Sequence, residues 1–331
     1  MAILDRNFFS DPLAQDARKE FVDRLWPDAI EQPVNLDPYF CLVENERQRI
    51  GDSHLHAINT YSDIVFIIDT IRSNPSFTFM QITELLKQKA ELNVDPQKLS
   101  LSIELSIHLW LMTNIRNRMT TSRDLLRTSI PWVDDVSLSS AITSSITHQS
   151  VSEDDVFPKY LNVHDMGRIC GYRVVWTDDL GSHLTIEGSS VYIFHNTSVL
   201  KRMNKAQSFP LPGDYVNETL ATIDLLIPIT NPSCNIWLSR EISLANIDHD
   251  ISFRNTPVAN ISKYKYWQER LKIMNETFER ARPRNLSQWV YDTRDMERWW
   301  GFWLVVIGIA LTVFFGLVQS ITGILQVTLP H

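Results

Sequence analysis

Between Trp299 and Pro330 the chain carries no charged residue, and Gly301 to Val318 reads GFWLVVIGIALTVFFGLV. Roughly 18 consecutive uncharged, mostly apolar residues are enough for a helix to cross the hydrocarbon of a bilayer. No other stretch matches it. Residues 299–328 are therefore predicted to form one transmembrane helix, and everything before them must fold beside a membrane. Arg280, Arg282, Arg284, Arg294 and Arg298 precede the run, whereas only uncharged residues and His331 follow it. Cytoplasmic flanks carry the excess of Lys and Arg, so the N-terminal part is expected in the cytosol. Trp299, Trp300 and Trp303, with Phe302, supply the aromatic belt expected at the membrane interface.

The span has a face of its own. At about 100° per residue, Gly308, Thr312, Gly316, Gln319 and Gly323 fall within one sector of roughly 80°. Gly308, Thr312 and Gly316 are each four apart, a spacing that lets a second helix approach closely, and Gln319 can hydrogen-bond across such an interface. The expected partners are the lipid bilayer and either another membrane protein or a second copy of the helix.

Composition removes several alternatives. The 331 residues carry a net charge of −8 with a pI near 5.6, which argues against a nucleic acid held by bulk electrostatics. Cys41, Cys170 and Cys234 are far apart and odd in number, giving no disulfide framework and no zinc spacing. The start, MAILDRNFFSDPLAQ, lacks the basic and long apolar regions of a signal peptide. The expectation is a single-pass, tail-anchored protein.

Along the chain, residues 1–55 carry prolines at 12, 27, 33 and 38 and little periodicity, which predicts an irregular arm with at most a short helix at 11–26. A helical lobe is expected over 56–135. Ile58, Tyr61, Ile64, Val65 and Ile68 recur at helical spacing before Asn74-Pro75, and Met80, Ile82, Leu85, Leu86 and Ala90 repeat the pattern. Residues 99–111 alternate apolar and polar like a strand. Against that, Asp95-Pro96 is a helix start, and thirteen residues far exceed a usual strand, so a helix is predicted there. The Ser/Thr-rich stretch 136–158 reads as an exposed loop, with Ser150 and Ser152 ahead of acidic residues.

An α+β lobe is expected over 159–260. GYRVVWT, the turn-like DDLGSH and LTIEGSSVYIFH predict a small antiparallel sheet across 168–195, and Val216 to Leu226 a helix with Asn217 as its cap. Over 261–298, Tyr264, Trp267, Leu271, Met274 and Phe278 form a narrow seam suited to a partner helix. A second helix is expected to begin near Leu286 and run unbroken into the membrane. The predicted class is α+β: a mainly helical cytosolic domain, a small antiparallel sheet and a C-terminal transmembrane helix.

The runs SIHLWLMTNIR, RICGYRVVWTDDLGSHLTIEGSSVYIFH and WWGFWLVVIGIALTVFFGLVQSITGILQV resemble a widespread group of filamentous-fungal membrane proteins. Its members share a β-rich middle and an FFGLxQSI-like end to one C-terminal span. The resemblance covers about the last two-thirds of the chain and implies a fold and an anchor, with no activity attached. A weaker likeness, to magnesium channels of the CorA type, lacks here both the second span and the Gly-Met-Asn turn.

Candidate chemistry is sparse. His54 and His56 are spaced to share a strand face, and Asp248-His249-Asp250 offers three donors in a row. Metal sites need three or four converging ligands, so surface roles are expected for both sets. His183 and His195 bracket the expected hairpin beside Asp178 and Asp179, which makes these four the catalytic candidates through a His/Asp pair. No GxSxG elbow, phosphate-cradling glycine loop or cofactor signature is present. Five glycosylation sequons, at Asn196, Asn217, Asn260, Asn275 and Asn285, go unused if the domain is cytosolic. Two function classes follow. One is a tail-anchored accessory or scaffold protein that binds partners. The other is a membrane-bound enzyme, or an accessory factor in fungal secondary metabolism, with its site near the hairpin.

Overall fold

The computed structural model describes residues 4–27, 29, 35–51, 53–90, 95–117, 129–146, 161–206, 210–252, 261–282, 286–292 and 296–328. In chain order the elements are α1 (Gln15–Leu25), α2 (Asp37–Ile50), α3 (Tyr61–Ser73), α4 (Phe79–Ala90), α5 (Pro96–Leu111), β1 (Ile115–Arg116), β2 (Ile130–Pro131), α6 (Leu138–Ile146) and α7 (Val163–Cys170). Then follow β3 (Arg173–Thr177), β4 (Ile186–Glu187), β5 (Ser190–Phe194), α8 (Thr197–Lys205), α9 (Gly213–Leu226), α10 (Pro232–Ala245), α11 (Gln268–Arg280), α12 (Leu286–Tyr291) and α13 (Met296–Thr328). The class is α+β and mainly helical, as the sequence predicts.

The helical lobe is built on α3 and α5. A capping box starts α3: the Asp63 carboxylate accepts from the Thr60 N–H at 2.8 Å, and the Thr60 hydroxyl accepts from the Asp63 N–H at 3.2 Å. Asp95 caps α5 by accepting from the Gln97 N–H at 2.9 Å, with Pro96 in the first turn. The alternation in α5 is resolved by its serines. Ser102 and Ser106 donate to the carbonyls of Lys98 and Ser102, each at 2.8 Å, and the Ser102 hydroxyl also accepts from the Ala57 N–H at 2.8 Å, so both hydroxyls are satisfied in the interior. The helix can then be buried on most sides, with Ile103, Ile107, Leu109 and Trp110 in the core.

Three stretches depart from the sequence expectation. Residues 37–50, expected within an irregular arm, form α2, which starts at Asp37-Pro38 and buries Tyr39, Phe40, Leu42 and Val43. Within the Ser/Thr-rich stretch, 138–146 form α6 and bury Leu138, Ala141, Ile142 and Ile146, because those apolar residues fall at helical spacing between the serines. Ser150 and Ser152 lie outside the described residues. The unbroken helix from Leu286 is instead two elements, α12 ending at Tyr291 and α13 beginning at Met296.

The sheet is mixed, in the order β3-β5-β4. β4 and β5 pair antiparallel as a hairpin, turned by Gly188 at φ +58°. β3 and β5 run parallel, with Arg173 opposite Ser190 and Thr177 opposite Phe194, which corrects the all-antiparallel expectation. The reason is an extra reversal. After β3 the chain turns through the 3₁₀ turn Leu180–Ser182, held by the Asp179 carboxylate, and runs back into β4 before the hairpin reverses it again. Two reversals bring β5 alongside β3 in the same direction.

The expected partner-helix seam is consumed internally. Tyr264, Trp267, Leu271, Met274 and Phe278 are all buried in the domain core. Glu218 on α9 organises their start, accepting from the backbone N–H groups of Lys265 at 2.8 Å, Tyr266 at 2.6 Å and Trp267 at 2.8 Å.

Candidate functional site

Among the described residues one helix, at the C-terminal end, is long and apolar enough to cross a membrane. Met296–Ile324 is 29 residues long, with a mean hydropathy of 2.5 in its most apolar window, and no residue of that window is buried. A helix of that length rises about 43 Å, more than the ~30 Å of bilayer hydrocarbon. Among the described residues, nothing outside the helix's own nearby backbone lies within 4 Å of where a Cβ would sit on Gly308, Gly316 or Gly323. The Thr312 hydroxyl donates to the Gly308 carbonyl at 2.8 Å, so it lies over the helix backbone and leaves the small face open. Gln319 is exposed on the same helix.

The joint between domain and span is built from aromatics. Trp299 Nε1 donates to the Val290 carbonyl at 3.1 Å, and Trp289 stacks on Phe302 at 5.5 Å. Trp299 also meets Trp300 and Trp303 edge-on at 5.2 and 6.0 Å. α12 in turn lies on α7. The Arg168 guanidinium sits 4.5 Å over the Tyr291 ring, and Gly171 turns at φ +75° with Gln288 Nε2 only 2.7 Å from where a Cβ would stand. Arg284 and Arg294 of the basic flank lie outside the described residues.

The four catalytic candidates do not converge. Asp178 and His195 pair, with Nε2 to Oδ1 at 3.1 Å, and the Asn196 amide donates to the same carboxylate oxygen. Asp179 instead holds its own turn, accepting from the Gly181 N–H at 3.2 Å and the Ser182 hydroxyl at 2.7 Å. His183 is fully buried and pairs with neither acid, which corrects its expected part in a His/Asp pair. Its Nε2 lies 2.8 Å from the Thr222 hydroxyl, its Nδ1 accepts from the Phe194 N–H at 3.1 Å, and its ring meets Trp267 edge-on at 4.9 Å. Because the Thr222 hydroxyl hydrogen goes to the Thr219 carbonyl, His183 must be neutral with its proton on Nε2. Burial, followed by the nearby Arg270 charge, holds its pKa well below the ordinary histidine value.

The remaining donors are structural. His54 lies in the 3₁₀ turn Ser53–Leu55, so the shared strand face does not form. Burial pushes the His56 pKa down to about 4. Asp248 is buried, accepting from the Ser198 N–H at 2.6 Å and the Ser198 hydroxyl at 2.8 Å, and so acts as a remote cap on α8. Among the described residues no three His, Cys, Asp or Glu side chains are placed to hold a metal ion.

A polar cavity of about 330 Å³ adds two residues that spacing alone did not single out. Glu46 of α2 and His108 of α5 line it together with Trp176, Asp178 and Asp179. Both are buried; His108 Nε2 lies 3.6 Å from Glu46 Oε1, and neither ring nitrogen has a hydrogen bond. A signal for Glu46 was present. It falls on the same helix face as Leu42 and Val43, where a charge is out of place. The chain matches no protein-family model, no curated protein and no solved structure. The site's chemistry must be argued from its own geometry. The cavity wall carries Asp178, which pairs with His195, and His108 beside Glu46, and among the described residues no hydroxyl or thiol is hydrogen-bonded to either imidazole.

Proposed function

We propose that this chain is a single-pass membrane protein, anchored through its C-terminal helix, that serves as an accessory or scaffold. Its folded domain lies on the cytosolic side and binds partners close to the bilayer, while α13 packs against another membrane helix. One observation carries the reading: a 29-residue apolar helix with nothing buried against it, joined by α12 to the folded domain. Between helices in lipid there is no hydrophobic drive, so association rests on close packing and polar contacts, and Gly308, Gly316 and Gln319 supply both. The arginines ahead of the span support the cytosolic side.

Two experiments test it. Protease added to intact microsomes should digest the domain; protection of the domain, with glycans on its accessible sequons, refutes the orientation. Gly316→Leu should leave insertion intact and reduce crosslinking between spans. Val313→Leu, about 60° outside the small face, should change little. Equal association by wild type and Gly316→Leu would refute the packing face.

The His195–Asp178 pair and the cavity that Asp178 lines favour a second reading, a membrane-bound enzyme working at that wall. His195→Gln would then abolish activity in cell extracts supplied with candidate substrates while leaving membrane insertion unchanged.

A further inference from the structure

On the other side of the 180–182 turn lies a smaller cavity, of about 140 Å³, lined by Ser129, Ser145, Tyr215, Tyr266, Trp267 and Arg270 among others. Arg270 opens α11 and is half-buried. Its Nη1 donates to the carbonyls of Gly181, at 2.7 Å, and His183, and its guanidinium carbon lies 5.2 Å over the Trp267 ring. That uses the two N–H bonds of one nitrogen and leaves three, on Nε and Nη2, without an acceptor among the described residues.

An internal carboxylate is the usual answer to a half-buried guanidinium, and among the described residues none lines this cavity. Asp179 and Glu269 act on Arg270 only from beyond ion-pair distance, and Asp179 is occupied by its own turn. The neighbouring phenols are in the same condition. Tyr215 and Tyr266 are almost wholly buried, pack edge-on at 5.3 Å, and their hydroxyls make no hydrogen bond among the described residues. Tyr215 also stacks on Trp267 at 5.2 Å, so the aromatic wall is fixed. Among the described residues the cavity thus gathers a guanidinium fork, two phenols and two serine hydroxyls, and no anionic group.

We propose that this cavity binds a small oxyanion, the carboxylate or phosphate end of a ligand, with Arg270 as its charge partner and the Tyr215 and Tyr266 hydroxyls as neutral donors. The flat guanidinium matches two oxygens of such a group at once, and the surrounding aromatics strengthen the contact by excluding water. Free phosphate, a small carboxylate and a phospholipid headgroup share this chemistry.

The test is calorimetry on the full chain in maltoside micelles, titrated with inorganic phosphate or acetate against chloride at matched ionic strength. Saturable uptake of one anion per chain is expected. Tyr215→Phe/Tyr266→Phe, which keeps both rings, should weaken it at least about tenfold, as expected for lost hydrogen bonds to a charged group. Arg270→Lys should weaken it comparably. Competition by a short-chain phosphatidic acid would assign the headgroup as the ligand's source, and phosphate binding without competition a soluble one. Heats no larger than with chloride for both anions overturn the proposal. So does unchanged binding in the phenol variant.

Discussion

His183→Gln separates a buried histidine's packing from its protonation. In the native protein the imidazole donates from Nε2 to Thr222 and accepts at Nδ1 from the Phe194 N–H. Glutamine can reproduce one donor and one acceptor, so at pH 7 the loss is confined to the edge contact with Trp267 and imperfect geometry. About 1–3 kcal/mol is expected. Acid adds the second part. The folded pKa is lowered well below 6.5, so between the two values the unfolded chain binds a proton that the folded one refuses. Stability from this group is complete above pH ~6.5 and is lost as pH falls below it, by about 1.4 kcal/mol per pH unit. Glutamine does not titrate, so the wild-type advantage should shrink progressively as pH falls from 6.5 to 5. Urea unfolding of the full chain in micelles, at several pH values, measures the difference while other groups cancel. A gap that stays constant across that range would refute the neutral, doubly bonded histidine.

Gly171→Ala should destabilise the α7–α12 contact by about 1–2 kcal/mol, since a side chain at φ +75° is strained and its Cβ would meet Gln288; thermal unfolding reports the loss. Asp248→Ala removes a buried carboxylate from two donors on Ser198 and should cost about 3 kcal/mol or more in the same assay, whereas a loss under about 0.5 would reassign it as a surface residue. Native alkylation at pH 8 should modify exposed Cys41 first, and Cys234, whose thiol burial pushes up to about 12, only on unfolding; mass spectrometry of timed samples distinguishes them.

What could be seen in the sequence follows from range. The span, the start of α5 and the break after α3 are written in local chemistry: an uncharged run, an Asp-Pro cap, an Asn-Pro stop. The direction of β3 against β5 is not local. Alternation marks each run as a strand, but direction depends on how often the intervening chain reverses, and the turn at 180–182 is made by one aspartate and a serine. α2 was hidden for a related reason. Its apolar residues crowd into the first half, DPYFCLV, and the buried face then continues through Glu46, which reads as polar surface until α5 is laid beside it.

The same physics decides which histidine could serve as chemistry. His183 and His195 look alike in sequence, each at an edge of a β-rich run within the 168–195 stretch that also carries Asp178 and Asp179. What separates them is Thr222, 39 residues beyond His183, and Arg270, 87 residues beyond it and bonded to its carbonyl. Packing α9 and α11 against the 180–183 turn commits His183 to the core as a neutral hydrogen-bond bridge. His195 keeps Asp178, which lines the larger cavity, and so is the only one of the two placed beside a carboxylate. The helices that claim one histidine also bring Arg270 to the far wall of the turn. Residues of one turn line both cavities, Asp179 and Ser182 the acid-bearing one and Gly181 the donor-lined one, so a single short segment contributes to both walls.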